Sequence, residues 1–336
     1  MRPLFLRTWT RRRIGEAGVS AALLFFLWVK IDGPNSFSLD VVRPGRDNSK
    51  AFVFYATKDM YACSVLVNVH ILRNVVHSRH RIAVLVSEDV YPELRLRLEA
   101  QNATVLTETP PPLHGDTHVP YYKDCLLKLM AFKMHQLDPL LKQILVLDSD
   151  QLIMQNLDDT FDMTDEEFTA APAYWLGDNK TMSSTCMLIR PSPSLWDRVR
   201  PAMDSIGFDK YDVDLINDLF RHQDHRLPGS YATINSHWEN WDVPGWFRPE
   251  RDTAPTPTHT SLLPQPSPGR ATENDLEALN RQAKVVHFSA VGKPWTYDTD
   301  QVRRERPEAH PVLIQQWETW RSIAVQTCPN WLVSHV

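Results

Sequence analysis

The chain has 336 residues, 43% of them hydrophobic, and a formal charge of −5 at pH 7. That length allows one large domain or two small ones around a buried core. The acidic balance argues against a nucleic-acid binder, which needs a basic face to neutralise phosphates.

Cations instead concentrate at the N-terminus, where Arg2, Arg7, Arg11, Arg12 and Arg13 precede an uncharged stretch, 17–29, containing Leu23, Leu24, Phe25, Phe26, Leu27 and Trp28. This reads as a targeting segment. It is shorter than the roughly 17–25 residues of an ordinary span, so a cleaved signal peptide competes with a retained anchor. No small-x-small cleavage site follows Val29, and Trp28 sits where an interface residue belongs, which favours retention. The expected layout is a cytoplasmic tail (1–16), a signal-anchor helix (17–31), a stem (32–49) and a catalytic domain (50–330). The positive-inside rule then makes the domain lumenal, in a single-pass type II protein, and a short span suits a thin Golgi membrane. Sequons at Asn102-Ala103-Thr104 and Asn179-Lys180-Thr181 agree with that side.

From residue 51 strand and helix patterns alternate, the mark of an α/β fold with a mainly parallel sheet. Strands are expected at 51–56, 82–87, 103–107 and 143–148, separated by helices at 61–76, 91–101 and 123–137. Later strands are expected at 168–172, 184–190 and 284–288, and helices at 194–203, 212–220 and 310–324. Residues 248–274, with Pro-Thr-Pro-Thr and Pro-Gln-Pro-Ser-Pro, read as an irregular insertion. Trp238, Trp241 and Trp246 just before it are taken as core or loop anchors rather than sugar platforms. Cys63, Cys125, Cys186 and Cys328 lack metal or redox spacing, and buried free thiols are expected at Cys63 and Cys186.

The chemistry is expected where 143–150, Gln-Ile-Leu-Val-Leu-Asp-Ser-Asp, runs from an apolar strand into two carboxylates. Open α/β sheets bind ligands beyond the carboxyl ends of their strands, and paired hard oxygens there suit Mg²⁺ or Mn²⁺. An Asp-x-Asp alone is equally a solvated turn, and Asp212-Val213-Asp214 repeats the triplet. Downstream, Val285 and Val286 lead into His287, an imidazole that would complete the site and favour Mn²⁺. Ala290 and Gly292 allow close backbone approach to a phosphate, with Lys293 as a compact charge for the same anion.

Together these residues resemble the glycogenin-like glycosyltransferases, family 8 of the retaining nucleotide-sugar enzymes, over about 51–297. The resemblance implies a GT-A type fold, a Rossmann-like mixed sheet flanked by helices. It implies Mn²⁺ on Asp148, Asp150 and His287, with the His-Phe-x-x-x-x-Lys-Pro-Trp spacing intact at 287–295. It also implies nucleoside contacts from Tyr55, Ala56, Thr57 and Tyr61 in the first strand and loop, and donor contacts from Lys128, Ser149, Ser184, Ala290, Gly292 and Lys293.

Two departures bear on the sugar. The family's Asn-Ser-Gly reads here Ser183-Ser184-Thr185, and its Asp-Gln pair reads Asp212-Val213. The hydroxyl set could leave room for an acetamido group and resembles the fungal secretory-pathway branch that transfers N-acetylglucosamine. The expected reaction is transfer from a UDP-sugar to a glycan or glycoprotein, with UDP-glucose or UDP-galactose as the alternative donors. Lys293 and the metal are expected to stabilise the leaving UDP, and Asp212 or Asp214 to face the anomeric carbon as nucleophile or orienting group, with same-face attack needing no enzyme nucleophile as the other route to retention. Two other classes compete. A nucleotidyltransferase should carry a glycine-rich phosphate loop after its first strand, which Ala56-Thr57-Lys58-Asp59 is not. An inactive membrane-anchored scaffold would keep the fold without the ligands.

Overall fold

A computed structural model describes residues 47–112, 125–177, 180–207, 210–248 and 270–334. The expected tail, anchor, nearly all of the stem, Asn179 and most of the Pro-rich insertion lie outside them. Among the described residues no helix is long and apolar enough to cross a membrane.

Six strands form the main sheet: β1 (Lys50–Ala56), β2 (Arg81–Val86), β3 (Thr104–Thr107), β4 (Gln143–Leu147), β6 (Phe168–Pro172) and β7 (Met182–Ile189). Their order is β3-β2-β1-β4-β7-β6. β1 pairs parallel with β2 and β4, β2 pairs parallel with β3, and β7 runs antiparallel between β4 and β6. The buried strands are apolar on both sides because each face carries its own core. In β1, Phe52, Phe54 and Ala56 enter one core while Ala51, Val53 and Tyr55 enter the other. The first core lies under helices Asp59–His70, Glu273–Gln282 and Pro311–Thr327, the second under Pro193–Asp204 and Asp212–Phe220.

A second sheet joins β5 (Gln151–Ile153), β9 (Val285–His287) and β8 (Thr233–Ile234) in the order β5-β9-β8. Its importance is positional. β5 starts directly after Asp150, and its antiparallel register sets Gln151 opposite His287. The downstream histidine is thereby brought to the end of β4.

Three expectations change. The stretch 123–137 is described from Cys125 and winds as a 3₁₀ helix, Leu126–Lys133, before one α turn, Met134–Leu137. This tighter winding carries the buried Lys128. Helix Glu273–Gln282 starts inside the stretch read as irregular, with the Thr272 hydroxyl accepting from the Asp275 amide at its first turn. Cys63 is not a free thiol; it is bonded to Cys328, 265 residues away, and the bridge ties helix Asp59–His70 to the end of helix Pro311–Thr327. Cys186 is free and buried.

Candidate functional site

β4 ends at Leu147, so Asp148 is the first residue beyond the sheet edge. Its amide donates to Thr185 O at 3.2 Å and to Gln151 Oε1 at 3.1 Å, which turns the chain back toward β5. Asp150 O accepts from Phe288 N at 3.1 Å. The ligand atoms of Asp148, Asp150 and His287 consequently lie within 4.8 Å of one another.

The cluster is buried and rich in charge. Lys128 Nζ lies 2.7 Å from Asp148 Oδ1 and 2.8 Å from Asp212 Oδ2. Lys293 Nζ lies 2.7 Å from Asp150 Oδ2 and donates to Phe288 O. Three buried carboxylates thus face the buried ammonium of Lys128 and the partly exposed one of Lys293. Burial, together with Asp150 and Asp212, pushes Asp148 up to about 6 against the pull of Lys128. Burial opposes ionisation of Asp150, but His287 and Lys293 more than compensate and its pKa falls. Lys128 would lose its proton more readily through burial, yet Asp148 and Asp212 outweigh that and hold it charged. Asp212 is lowered despite burial, through Lys128 and the hydroxyl of Ser184.

His287 is lowered to about 4 by burial, with Lys293 adding to the effect. Its imidazole is therefore neutral at pH 7. Its Nδ1 is buried without a hydrogen-bond partner, 3.6 Å from Asp150 Oδ1. A neutral imidazole whose Nδ1 has no hydrogen-bond partner, beside two carboxylates in a pocket with one more negative charge than positive, fits a divalent cation with mixed oxygen and nitrogen ligands.

The remaining expected residues divide. Tyr55 is buried, its ring 5.3 Å from Lys128 Nζ. Ala56 and Thr57 are buried behind Tyr55; their carbonyls accept from the amide and hydroxyl of Ser87. Tyr61 packs edge-on against Trp295 at 5.5 Å. Ser149 is buried between the two aspartates. Lys293 was expected to face a phosphate and here sits on Asp150. Ala290 N is occupied by Asn235 Oδ1 at 2.8 Å, so it is not an open phosphate donor. Gly292 does need to be glycine: its φ is 119°, and a Cβ would stand 2.7 Å from the Tyr297 ring. Asp212 and Asp214 part company. Asp212 joins the cluster, whereas Asp214 Oδ2 accepts from Tyr211 N at 2.9 Å and caps its own helix.

Two residues without a motif help build the site. Gln151 links Asp148 N to Thr185 O through its side-chain amide. Asn235, fully buried, accepts from the amides of Ser289 and Ala290 at its side-chain Oδ1, and its backbone N–H donates to His287 O. No local pattern marks either one.

No protein-family model matches the chain. Glucose N-acetyltransferase 1 of Gibberella zeae is 25% identical over 274 residues, covering 77% of this chain but only 56% of its own length. The Aspergillus fumigatus protein of the same name is 21% identical over 345 residues, 90% of this chain and 81% of its own. Glycogenin-1 of Oryctolagus cuniculus is 29% identical over 280 residues, 80% of this chain and 74% of its own. The chain is thus similar to glycogenins and to proteins named glucose N-acetyltransferase 1, at 21–29% identity. Its fold agrees. The galactosyltransferase LgtC, solved with donor and acceptor sugar analogs, superposes with a TM-score of 0.55 at 15% identity, over 85% of this chain and 100% of its own. The bifunctional glycosyltransferase WbbM gives 0.55 at 13% identity, over 88% of this chain and 52% of its own. The chain thus has a GT-A-like mixed α/β fold with a parallel-dominated sheet.

Proposed function

We propose that this chain is a retaining glycosyltransferase that moves a sugar, N-acetylglucosamine before glucose or galactose, from a UDP donor to a glycan or glycoprotein acceptor. The observation that carries the reading is the convergence of Asp148 and Asp150, from the end of β4, with His287, from the end of β9. These three residues would hold Mn²⁺, with Mg²⁺ as the second choice, and the cation would supply charge stabilisation for the departing diphosphate. Lys128 keeps Asp148 and Asp212 anchored to one another, and Tyr55, its ring 5.3 Å from the Lys128 ammonium, would contact the nucleoside. Lys293 pairs with Asp150 beside the metal ligands, and its ammonium would supply a compact positive charge to the diphosphate. Asp212 rather than Asp214 is the carboxylate in reach of the donor, since Asp214 is engaged at its helix start. Ser184, bonded to Asp212, is the hydroxyl that stands in the family's sugar-pocket segment. The fungal relatives' name joins glucose to an N-acetyl group, the substituent that an acetamido sugar carries.

A panel of UDP-hexoses and GDP-hexoses, each assayed with Mn²⁺ and with chelator, tests this. UDP-N-acetylglucosamine is expected to turn over at least about 10-fold faster than UDP-glucose, and chelator to remove activity. Preference for a GDP-sugar would overturn the nucleotide, and preference for UDP-glucose the sugar.

The same reading puts the protein in the Golgi membrane as a single-pass type II chain with a lumenal catalytic domain. The Cys63–Cys328 disulfide supports an oxidising compartment. Asn102 is exposed in a left-handed turn between helix Pro92–Ala100 and β3, open to glycan addition. Protease protection of intact microsomes should find the C-terminus shielded, with a glycosidase-sensitive mass lost in Asn102→Gln. A C-terminus digested in intact vesicles rules out the orientation, and a soluble form starting just after Val29 rules out the anchor.

A further inference from the structure

The metal loop is reached from behind by a helix that carries no catalytic motif. On helix Asp59–His70, Ser64 and Asn68 are four residues apart and share one face, and both are fully buried. Polar side chains are unusual at fully buried positions and stay there only when bonded. Ser64 Oγ donates to Ser149 O at 2.5 Å. Asn68 Nδ2 donates to Gln151 O at 2.8 Å, and Asn68 Oδ1 accepts from Ile153 N at 3.1 Å. With Phe288 N on Asp150 O, three consecutive carbonyls, 149 to 151, are each held by a separate donor. Asn68 also fills the open edge of β5, whose other edge pairs with β9.

The support extends one layer further. Trp320 Nε1, on helix Pro311–Thr327, donates to Ser64 Oγ at 2.9 Å, so the hydroxyl passes a hydrogen bond from indole to metal loop. The Cys63–Cys328 bridge joins the same two helices one residue from Ser64. Trp320 in turn packs on Trp295, 5.4 Å between ring centroids, and Trp295 lies two residues beyond Lys293.

We propose that Ser64, Asn68 and Trp320 are positioning residues that set the backbone of the Asp148-Ser149-Asp150 loop, and so the spacing of the metal ligands. The hydrogen bonds of the three reach the loop's main chain and one another, not the ligands' carboxylates or imidazole. Their action is on the main chain, whose placement fixes where Asp148 and Asp150 point relative to His287. This rests on the metal-dependent reading above.

The test is Mn²⁺ affinity of the full chain, measured by electron paramagnetic resonance titration, alongside the thermal midpoint. Ser64→Ala and Asn68→Ala should each weaken Mn²⁺ about 10- to 100-fold, the range seen when support of metal ligands is removed. Trp320→Phe should weaken it less, and add nothing to Ser64→Ala, because the indole acts through that hydroxyl. Val69→Ala, on the same helix and equally buried, should lower the thermal midpoint while leaving Mn²⁺ affinity unchanged. Wild-type affinity in both Ser64→Ala and Asn68→Ala overturns the inference, as does an equal loss in Val69→Ala, which would show general destabilisation. A wild-type chain that binds no Mn²⁺ overturns the metal reading itself, and this inference with it.

Discussion

Asp150→Asn is expected to remove Mn²⁺-dependent transfer, by about 10²–10³ in rate or more, while the protein stays folded. The substitution keeps the shape of a buried side chain and takes away its charge. Lys293, which bonds Asp150 in the present geometry, retains the carbonyl of Phe288 as a partner. His287→Ala should act in the same direction, since it deletes the nitrogen ligand whose Nδ1 has no protein partner to lose. Lys293→Ala should differ in kind. Removing its ammonium frees the Asp150 carboxylate, so Mn²⁺ should bind at least as tightly while turnover falls. Circular dichroism, Mn²⁺ titration and turnover on the three variants separate these cases. Full activity in Asp150→Asn or His287→Ala would sink the metal assignment, and loss of Mn²⁺ binding in Lys293→Ala would sink the division of labour.

Lys128→Met should produce the largest stability loss, on the order of 3–5 kcal/mol, because it leaves two buried carboxylates without their shared cation. Lys128 is 3% exposed, Asp148 5% and Asp212 7%, so solvent cannot replace the ammonium. A denaturant midpoint measures the loss. Adding Asp212→Asn should recover part of it, since one of the stranded charges is then removed. A Lys128→Met protein within about 1 kcal/mol of wild type would show that the carboxylates simply protonate, and that the triad contributes little to the fold.

Legibility in the sequence follows the range of the interaction involved. The principal strands and most of the long helices are visible because alternating and helical patterns are local, and β1 shows both cores in seven residues. β5 and β8, of three and two residues, are too short to carry a pattern; they exist because β9 pairs with both. Asp212 and Asp214 are equivalent as letters. On a helix, however, residues two apart point to nearly opposite sides, and only packing against Lys128 decides which carboxylate enters the site.

The order of residues by itself determined the chemistry on offer: two carboxylates after an apolar strand, and a histidine and lysine at a family spacing. Tertiary structure decided the partners. The lysine at 293 meets Asp150, the one at 128 bridges Asp148 and Asp212, and Cys63 meets Cys328 across 265 residues. Each pairing depends on where sheet and helices place distant segments in space. Charge and thiol chemistry permit many such pairings, and only the packed core selects among them.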